Sequence, residues 1–269
     1  MDNRPIGVFD SGVGGLTVVN ALMQSISNET IYYVGDTARV PYGNKSKERV
    51  QQYSEEIIEW LIQKDCKMII IACNTASSLA IDYLNSKFSL PIIGVIDPGV
   101  SCAINTTKNQ SIGIIGTHAT IQSDSYGSRL RSLNPKLQIM NQACPLFVPL
   151  VEEGLVEGKI PTLIARSYLA RFTNTDVDTI IMGCTHYPIL EKIIRNVLGD
   201  EIKLVDSGKV TAEVVSNNLK ENGLLSDLDH GEVHSFVTDS KESFEKIVTR
   251  SLSPIFDIAI SSTNRIDIN

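Results

Sequence analysis

The sequence lacks the features that mark several common classes of protein. No block of lysine and arginine stands out, and 24 basic against 31 acidic residues give a formal net charge of −7. Nucleic acid and anionic membranes are therefore not expected as partners. The first residues lack the apolar segment of a signal peptide, and the longest apolar run, around Ile69 to Cys73, is too short to cross a bilayer.

The five cysteines include no CxxC pair, and their odd number does not fit a disulfide framework. Free thiols in a reducing compartment are expected, which predicts a cytoplasmic protein. We interpret Cys66, Cys102 and Cys144 as small buried apolar residues. Cys73 and Cys184 differ from these three in their position along the chain.

Short β-branched runs alternate with segments of helical period, which is the pattern of βαβ units and a parallel sheet. This pattern predicts strands at 5–9, 30–34, 68–72, 91–95, 111–117, 137–141, 179–182 and 202–205. It predicts helices at 16–26, 47–64, after Asn74, from Thr117 to about 133, and at 160–172 and 189–198, with loops at 35–46 and 143–154.

The series of strands and helices restarts near residue 111, and the spacing from Asp10 to Cys73 resembles that from Thr117 to Cys184. We therefore expect an α/β fold of two similar, pseudo-symmetric domains, each a parallel-type sheet flanked by helices, with the active site in the cleft between them. The turn-like sequences at 97–99 and 206–208 predict the boundaries. Residues 1–97 plus 207–269 would form the first domain and 98–206 the second, with the tail packing back on the first half.

The two distinctive cysteines share one local pattern. Ala72-Cys73-Asn74-Thr75 and Gly183-Cys184-Thr185-His186 each follow a buried strand and precede a predicted helix. A helix N-terminus favours a thiolate. Since ligands of open parallel sheets bind beyond the carboxyl ends of the strands, the two thiols are expected on opposite walls of one cleft.

Three chemistries could use such thiols. A redox pair needs disulfide contact, which nothing in the sequence requires. Acyl transfer needs one nucleophile with a base and leaves the second thiol idle. Proton transfer at a stereocentre uses both, because one thiolate removes a proton from one face of a carbon and the opposite thiol returns one to the other face.

Two neighbouring side chains could assist. Asp10 ends the first strand and could act on Cys73, or it could simply cap the following helix. His186 could act on Cys184, or it could be an exposed or capping histidine. Cys184 and His186 could also be metal ligands, but no further Cys/His cluster completes a zinc set, so we expect no metal.

The strand ends also carry many neutral hydrogen-bond donors. Backbone N–H groups and short polar side chains hold carboxylates without a formal positive charge, so a small anionic substrate is expected. The donors are Ser11, the Tyr42-Gly43 turn, Asn74, Thr75, Thr117, Thr120 and Thr185. Gly12-Val13-Gly14-Gly15 also resembles a dinucleotide fingerprint, but Thr17 stands where the third glycine should be.

In these motifs the sequence resembles the glutamate racemases, cofactor-independent enzymes of bacterial cell-wall synthesis. The resemblance runs from about residue 5 to about 208 and is carried by residues 7–16, Gly35-Asp36-Thr37-Ala38-Arg39-Val40-Pro41-Tyr42-Gly43, 72–76, 149–154 and 183–188.

The resemblance implies Cys73 and Cys184 as the two catalytic acid/bases, with Cys184 acting on L-glutamate and Cys73 on D-glutamate. It implies that Asp10 supports Cys73, that His186 supports Cys184, and that Glu152 and Asp36 are further acidic residues near the site. Glutamate would be bound by Asp10-Ser11, Pro41-Tyr42-Gly43, Asn74-Thr75 and Thr185-His186. It further implies no cofactor, D-glutamate production for peptidoglycan, and a homodimer.

Three alternatives stay open at this point. A related two-cysteine racemase could act on aspartate or another small acid. A binding or regulatory protein could have kept the fold without the activity. A pyridoxal-phosphate racemase is the weakest of the three, because no motif places a lysine in the site for the Schiff base.

Overall fold

The computed structural model describes residues 1–268 and contains two parallel sheets. The first has the spatial order β10 (Ser262–Arg265), β9 (Val233–Val237), β2 (Ile31–Gly35), β1 (Ile6–Asp10), β3 (Met68–Ile71) and β4 (Ile92–Gly94). The second has the order β6 (Gln138–Ala143), β5 (Ser111–Gly116), β7 (Thr179–Gly183) and β8 (Lys203–Asp206). All neighbouring strands run parallel, and the predicted α/β class is confirmed.

The helices flank these sheets. They are α1 (Leu16–Ser25), α2 (Lys47–Gln63), α3 (Asn74–Lys87), α4 (Ile96–Thr106), α5 (His118–Gln122), α6 (Ser125–Leu133), α7 (Phe147–Glu152), α8 (Lys159–Leu169), α9 (Glu191–Leu198), α10 (Ser207–Glu221) and α11 (Lys241–Ile247). Short 3-10 helices cover Tyr42–Asn44, Ala170–Phe172 and Tyr187–Leu190, and a π-helical turn covers Val248–Leu252.

The two sheets repeat one strand order. In the first, β1 lies between β2 and β3 with β4 outside, and in the second, β5 lies between β6 and β7 with β8 outside. The first sheet also takes up C-terminal residues, because β9 pairs with β2. The domain limits after residues 97 and 206 remain a prediction, although the strands before 95 and after 232 share one sheet and those from 111 to 206 the other.

The central strands form the core because helices cover both faces of the sheets. Every residue of β1, β3, β5 and β7 is buried, which is why these strands are continuous apolar runs and do not alternate. Helix α2, in contrast, is buried on one face only, and that face contains Val50, Ile57 and Leu61. Buried central strands fix the positions of the residues that come directly after their carboxyl ends.

Several sequence-based boundaries were wrong. The stretch 143–154 is not a loop: it contains α7, whose Pro149 lies in the first turn, where its missing N–H costs no hydrogen bond. The helix predicted after Thr117 is broken into α5 and α6 by Asp124, which has a left-handed backbone (φ 53°). The interpretation of Cys102 as a buried residue was also wrong, because it is only partly buried.

The two predicted boundary turns are helix starts. Pro98 and Gly99 lie in the first turns of α4, again because a proline is accepted there. Asp206 caps α10 by accepting hydrogen bonds from the backbone N–H groups of Gly208 and Lys209 at 2.9 and 3.4 Å. Both sequences therefore begin helices on the path between the sheets.

Candidate active site

Cys73 and Cys184 meet at one small cavity at the carboxyl ends of the strands. Cys73 follows β3, and its sulfur accepts a hydrogen bond from the Ala76 N–H at 3.4 Å as the N-cap of α3. Cys184 follows β7, but only the short 3-10 helix Tyr187–Leu190 begins near it. The helix N-terminus that was expected to favour a thiolate is therefore less developed at Cys184 than at Cys73. Both cysteines are buried, and both line the cavity.

The cavity is small, and most of its wall residues have polar side chains. Its volume is about 20 Å³, which is room for a single water molecule. Its remaining wall residues are Ser11, Pro41, Tyr42, Gly43, Asn74, Thr75, Thr117, Val148, Thr185 and His186. Every predicted substrate-binding residue is in this wall except Asp10 and Thr120, which lie behind it.

On the second-half side, Cys184 lies in a short chain of contacts with His186 and Glu152. The Cys184 sulfur is 3.9 Å from His186 Nδ1, and His186 Nε2 is 3.4 Å from Glu152 Oε1. The second contact is an ion-pair distance without the geometry of a hydrogen bond. Since His186 is buried, the interpretation of it as an exposed histidine was wrong.

The charge of His186 follows from these contacts. Burial lowers its pKa, but the Cys184 and Glu152 side chains outweigh burial and raise the pKa of His186 from 6.5 to about 10. At neutral pH the ring is therefore an imidazolium beside the Cys184 sulfur. The contribution of these contacts to folding stability is fully present below the pKa that His186 has in the unfolded state. It is lost as the pH rises through about 10.

This charge can be measured directly. We expect one of the four histidines to remain doubly protonated at pH 8 in ¹⁵N NMR spectra, because the anionic groups beside it favour the charged ring. The signal should disappear in His186→Gln, and Glu152→Gln should lower its pKa. A His186 ring already neutral at pH 8 would contradict the assignment.

Glu152 is held in place by the C-terminal residues. The Arg250 guanidinium donates to the Glu152 carbonyl oxygen, and the Ser251 hydroxyl donates to the Val151 carbonyl at 2.6 Å. Sequence reasoning missed both residues, because they lie about 100 positions further along the chain.

Asp10 connects the two halves beneath the cavity. Its carboxylate accepts from the Gly12 N–H at 3.0 Å and from the Thr185 hydroxyl at 3.1 Å. Burial raises the pKa of Asp10, while the nearby His186 charge opposes this rise. Asp10 does not cap α1, whose N-cap is Gly15 without a side-chain hydrogen bond, so the capping interpretation was wrong.

The Cys73 thiol is in a different electrostatic environment from Cys184. Burial raises the pKa of Cys73, and the negative charge of Asp10 raises it further. Cys73 is thus a neutral thiol at physiological pH, whereas a positive charge lies beside Cys184. The two matched cysteines therefore lie in opposite electrostatic surroundings.

The glycine-rich turn is explained by packing within the protein. A Cβ at Gly14 would lie 2.5 Å from His186 Nδ1 and would also contact the Thr185 hydroxyl. A Cβ at Gly15 would lie 2.5 Å from the Asp10 Cβ and 2.8 Å from the Tyr33 hydroxyl. These close approaches account for both glycines without a bound nucleotide.

Three hydroxyls form a triangle across the halves. Thr75 Oγ1 is 3.0 Å from Thr117 Oγ1 and 3.2 Å from Thr120 Oγ1, and the last two are 3.1 Å apart. Thr75 comes from the first half and the other two from the second. Thr75 and Thr117 reach the cavity, and Thr120 supports them from behind.

The Tyr42-Gly43 turn is held by the buried Asp36. The Tyr42 hydroxyl donates to the Asp36 carboxylate, which also accepts from Arg39 Nε at 2.7 Å and from the Thr238 hydroxyl at 2.8 Å. Gly43 packs against Thr117, since a Cβ there would lie 2.7 Å from the Thr117 Cβ. Asp36 is not in the cavity wall itself, but its carboxylate holds the wall residue Tyr42.

The arrangement of the side chains also bears on metal binding and on membrane insertion. Within residues 1–268, no group of three His, Cys, Asp or Glu side chains has an arrangement that could hold a metal ion. No helix in the same range has both the length and the apolar content that a membrane span requires.

Comparisons with known proteins agree on one family. The sequence profile described as Asp/Glu/Hydantoin racemase matches residues 6–215. The glutamate racemase of Geobacter metallireducens is 44% identical over 250 residues, which is 93% of both chains. Among solved structures, a Bacillus anthracis glutamate racemase superposes with a TM-score of 0.94 at 39% identity, covering 100% of this chain and 99% of that one. A Francisella tularensis glutamate racemase in complex with D-glutamate has a TM-score of 0.92 at 38% identity, with the same coverage.

Proposed function

The chain belongs to the Asp/Glu/Hydantoin racemase family, and on that premise we propose that it interconverts L- and D-glutamate by proton transfer between two thiols. The chain is an amino-acid racemase. The observation that carries the mechanism is that Cys73 and Cys184, from equivalent strand ends of two similar sheets, line the same small cavity.

The wall of the cavity suits a dicarboxylic amino acid. No lysine or arginine is among its described wall residues, so carboxylates would be held by hydroxyls, an amide and backbone N–H groups. We assign one carboxylate to Asn74, Thr75 and Thr185 and the other to Ser11 and the Tyr42-Gly43 turn. The D-glutamate complex of the Francisella tularensis relative supports this choice of substrate.

The two proton transfers at the α-carbon use these two side chains alone. Cys184, as a thiolate beside the His186 imidazolium, takes the α-proton of L-glutamate, and the electron pair of the C–H bond remains on the α-carbon and its carboxylate. The Cys73 S–H bond then breaks and its proton binds the opposite face of the carbon, which gives D-glutamate and a Cys73 thiolate. After the product leaves, Cys184 loses its proton to water and Cys73 gains one from water, which restores the starting state. For D-glutamate the two roles exchange.

The charges around the two thiols favour L-glutamate as the substrate of the free enzyme. Burial and the charge of Asp10 raise the pKa of Cys73 and keep it an acid, while the raised pKa of His186, about 10, places a positive charge next to Cys184. Exclusion of water strengthens these interactions, which matters because an α-proton is a poor acid.

Substrate must enter by opening of the halves, because a space of about 20 Å³ cannot admit glutamate. The starts of α4 and α10, near Asp97 and Asp206, are the proposed hinges, since element ends absorb such motions. Small-angle scattering or crystal structures should show a smaller angle between the halves with glutamate than without it. Identical orientations in both states would refute the hinge.

The resemblance to the glutamate racemases also implies a biological role. We propose that the D-glutamate is supplied to peptidoglycan synthesis, that no added cofactor is required, and that the enzyme is a homodimer. Sedimentation equilibrium tests the last point: a mass twice the 29.5 kDa of the chain is expected, and a monomer at micromolar concentration would contradict it.

The activity itself is tested by circular dichroism or chiral chromatography of L-glutamate with the purified protein and no added cofactor. We expect conversion to an equal mixture of L- and D-glutamate, and much slower turnover of aspartate, whose side chain is one methylene shorter. Turnover of aspartate but not glutamate would assign another substrate. Absence of turnover together with absence of hydrogen exchange at the α-carbon would instead indicate a binding protein.

A further inference from the structure

Only one of the two polar atoms of the Asn74 side chain has a hydrogen-bond partner among the residues that the structure describes. Asn74 is the first residue of α3, directly after Cys73, and is 3% exposed. Its Oδ1 accepts a hydrogen bond from the Tyr126 hydroxyl at 2.6 Å, but its buried Nδ2 has no hydrogen-bond partner among residues 1–268. A buried amide donor without an acceptor is unfavourable, so this N–H₂ group is suited to a ligand in the cavity that Asn74 lines.

Tyr126 comes from the other half of the molecule. It lies on α6 and is 2% exposed. Its ring packs against two glycines, because a Cβ at Gly183 or Gly99 would lie 3.2 Å from a ring carbon. Gly183 immediately precedes Cys184, and Asn74 immediately follows Cys73. The Tyr126 ring therefore packs against the strand end before Cys184, while its hydroxyl hydrogen-bonds the residue after Cys73.

The direction of the hydrogen bond between these residues follows from its surroundings. Burial raises the pKa of Tyr126, and the nearby Ser207 hydroxyl only partly opposes this rise. The phenol is therefore neutral, and its proton is available to the Asn74 carbonyl oxygen. An amide whose oxygen is held in this way must turn its N–H₂ group to the other side.

We propose that Tyr126 is a positioning residue, which fixes the Asn74 amide so that Nδ2 donates to a carboxylate of the bound amino acid. This assignment rests on the proposed function for the identity of the ligand. Since Asn74 and Tyr126 belong to different halves, the donor is oriented only when the halves are closed, which couples carboxylate binding to closure of the site.

The test is a double-mutant cycle on the full-length enzyme. Tyr126→Phe keeps the ring and removes the hydroxyl, which leaves the Asn74 amide free to rotate. We expect KM for glutamate to rise about three- to tenfold with a smaller change in kcat, as for loss of one hydrogen bond. In an Asn74→Ala background the same substitution should change KM by less than about twofold. Tyr168→Phe, which removes a phenol hydroxyl bonded to the Leu146 N–H outside the site, is the matched control and should leave kinetics unchanged.

A second variant tests the donor without altering Tyr126. Asn74→Asp keeps an acceptor for the Tyr126 hydroxyl but has no N–H₂ group, so it should raise KM at least as much as Asn74→Ala. The proposal would be overturned by a wild-type KM in Asn74→Asp or by the absence of any effect of Tyr126→Phe. It would also be overturned by an equal effect of Tyr126→Phe in both backgrounds. If Tyr126→Phe does not fold, Asn74→Asp still tests the donor that the proposal requires, because a wild-type KM in that variant would overturn it.

Failure of this inference can be separated from failure of the proposed function. If the wild-type enzyme racemises glutamate and the cycle is additive, only the role of Tyr126 is wrong. If the wild-type enzyme does not act on glutamate, the proposed function is wrong, and the same cycle can be measured with aspartate if that is the acid it turns over.

Discussion

Replacing either Cys73 or Cys184 by serine is expected to abolish racemisation in both directions. Each thiol serves one face of the α-carbon, so removal of either breaks the forward and the reverse reaction alike. A serine hydroxyl is far too weak an acid to take the part of a thiol, and we expect kcat/KM to fall by about 10²–10⁴-fold or more. Chiral chromatography of both enantiomers measures the loss.

Serine is the informative replacement because it preserves the local structure. At position 73 it can still cap α3 as the sulfur does through the Ala76 N–H. Cys66→Ala and Cys102→Ala, which alter cysteines away from the cavity wall, should retain near wild-type turnover. Substantial racemisation by Cys73→Ser or Cys184→Ser would rule out the two-base assignment.

Gly14→Ala is expected to lower kcat by about 10²-fold while the protein remains folded, since a misplacement near 1 Å can cost that much. The new methyl group would lie 2.5 Å from His186 Nδ1 and would push the ring out of its place between Cys184 and Glu152. Thr185, which donates to Asp10 at 3.1 Å, would be displaced as well. Steady-state kinetics and thermal unfolding of the same preparation separate the two effects.

Gly7→Ala is the matched control for this prediction. Its Cβ would lie 2.7 Å from the Ile69 side chain and 3.0 Å from Leu61, so it is also crowded, but against apolar residues of the core. We expect a stability loss of about 1–3 kcal/mol from overpacking with kcat of the folded enzyme retained. If Gly14→Ala keeps wild-type kcat, close packing of the glycine turn does not position His186.

The positions of the two cysteines could be predicted from the sequence because the strands before them are buried on both faces. Such strands are unbroken apolar runs, as in Met68–Ile71 and Thr179–Gly183, and parallel topology brings their ends to one edge. The repetition of this pattern also indicated two similar α/β halves. Strong local signals therefore predicted both the sheets and the two thiols at their edges.

The residues that hydrogen-bond the site residues and hold them in place could not be predicted in the same way. Tyr126 bonds Asn74 from 52 positions away, Arg250 bonds Glu152 from 98, and Thr238 bonds Asp36 from 202. No local periodicity encodes such pairs, since they arise only when two halves and the C-terminal residues pack together. The prolines around α7 concealed a helix for a related reason: its stability comes from buried Phe147 and Val151 more than from intrinsic propensity.

The central claim, that two opposed thiols share the proton transfer, is tested most directly in deuterated water. L-Glutamate should be turned over by wild-type enzyme to low conversion, and deuterium at the α-carbon should be measured separately in product and remaining substrate by mass spectrometry. With two bases, the D-glutamate acquires a solvent deuteron from Cys73 while the unreacted L-glutamate stays largely unlabelled. Comparable early labelling of both enantiomers would mean that one base serves both faces, and would contradict the assignment of Cys73 and Cys184 as opposed acid and base.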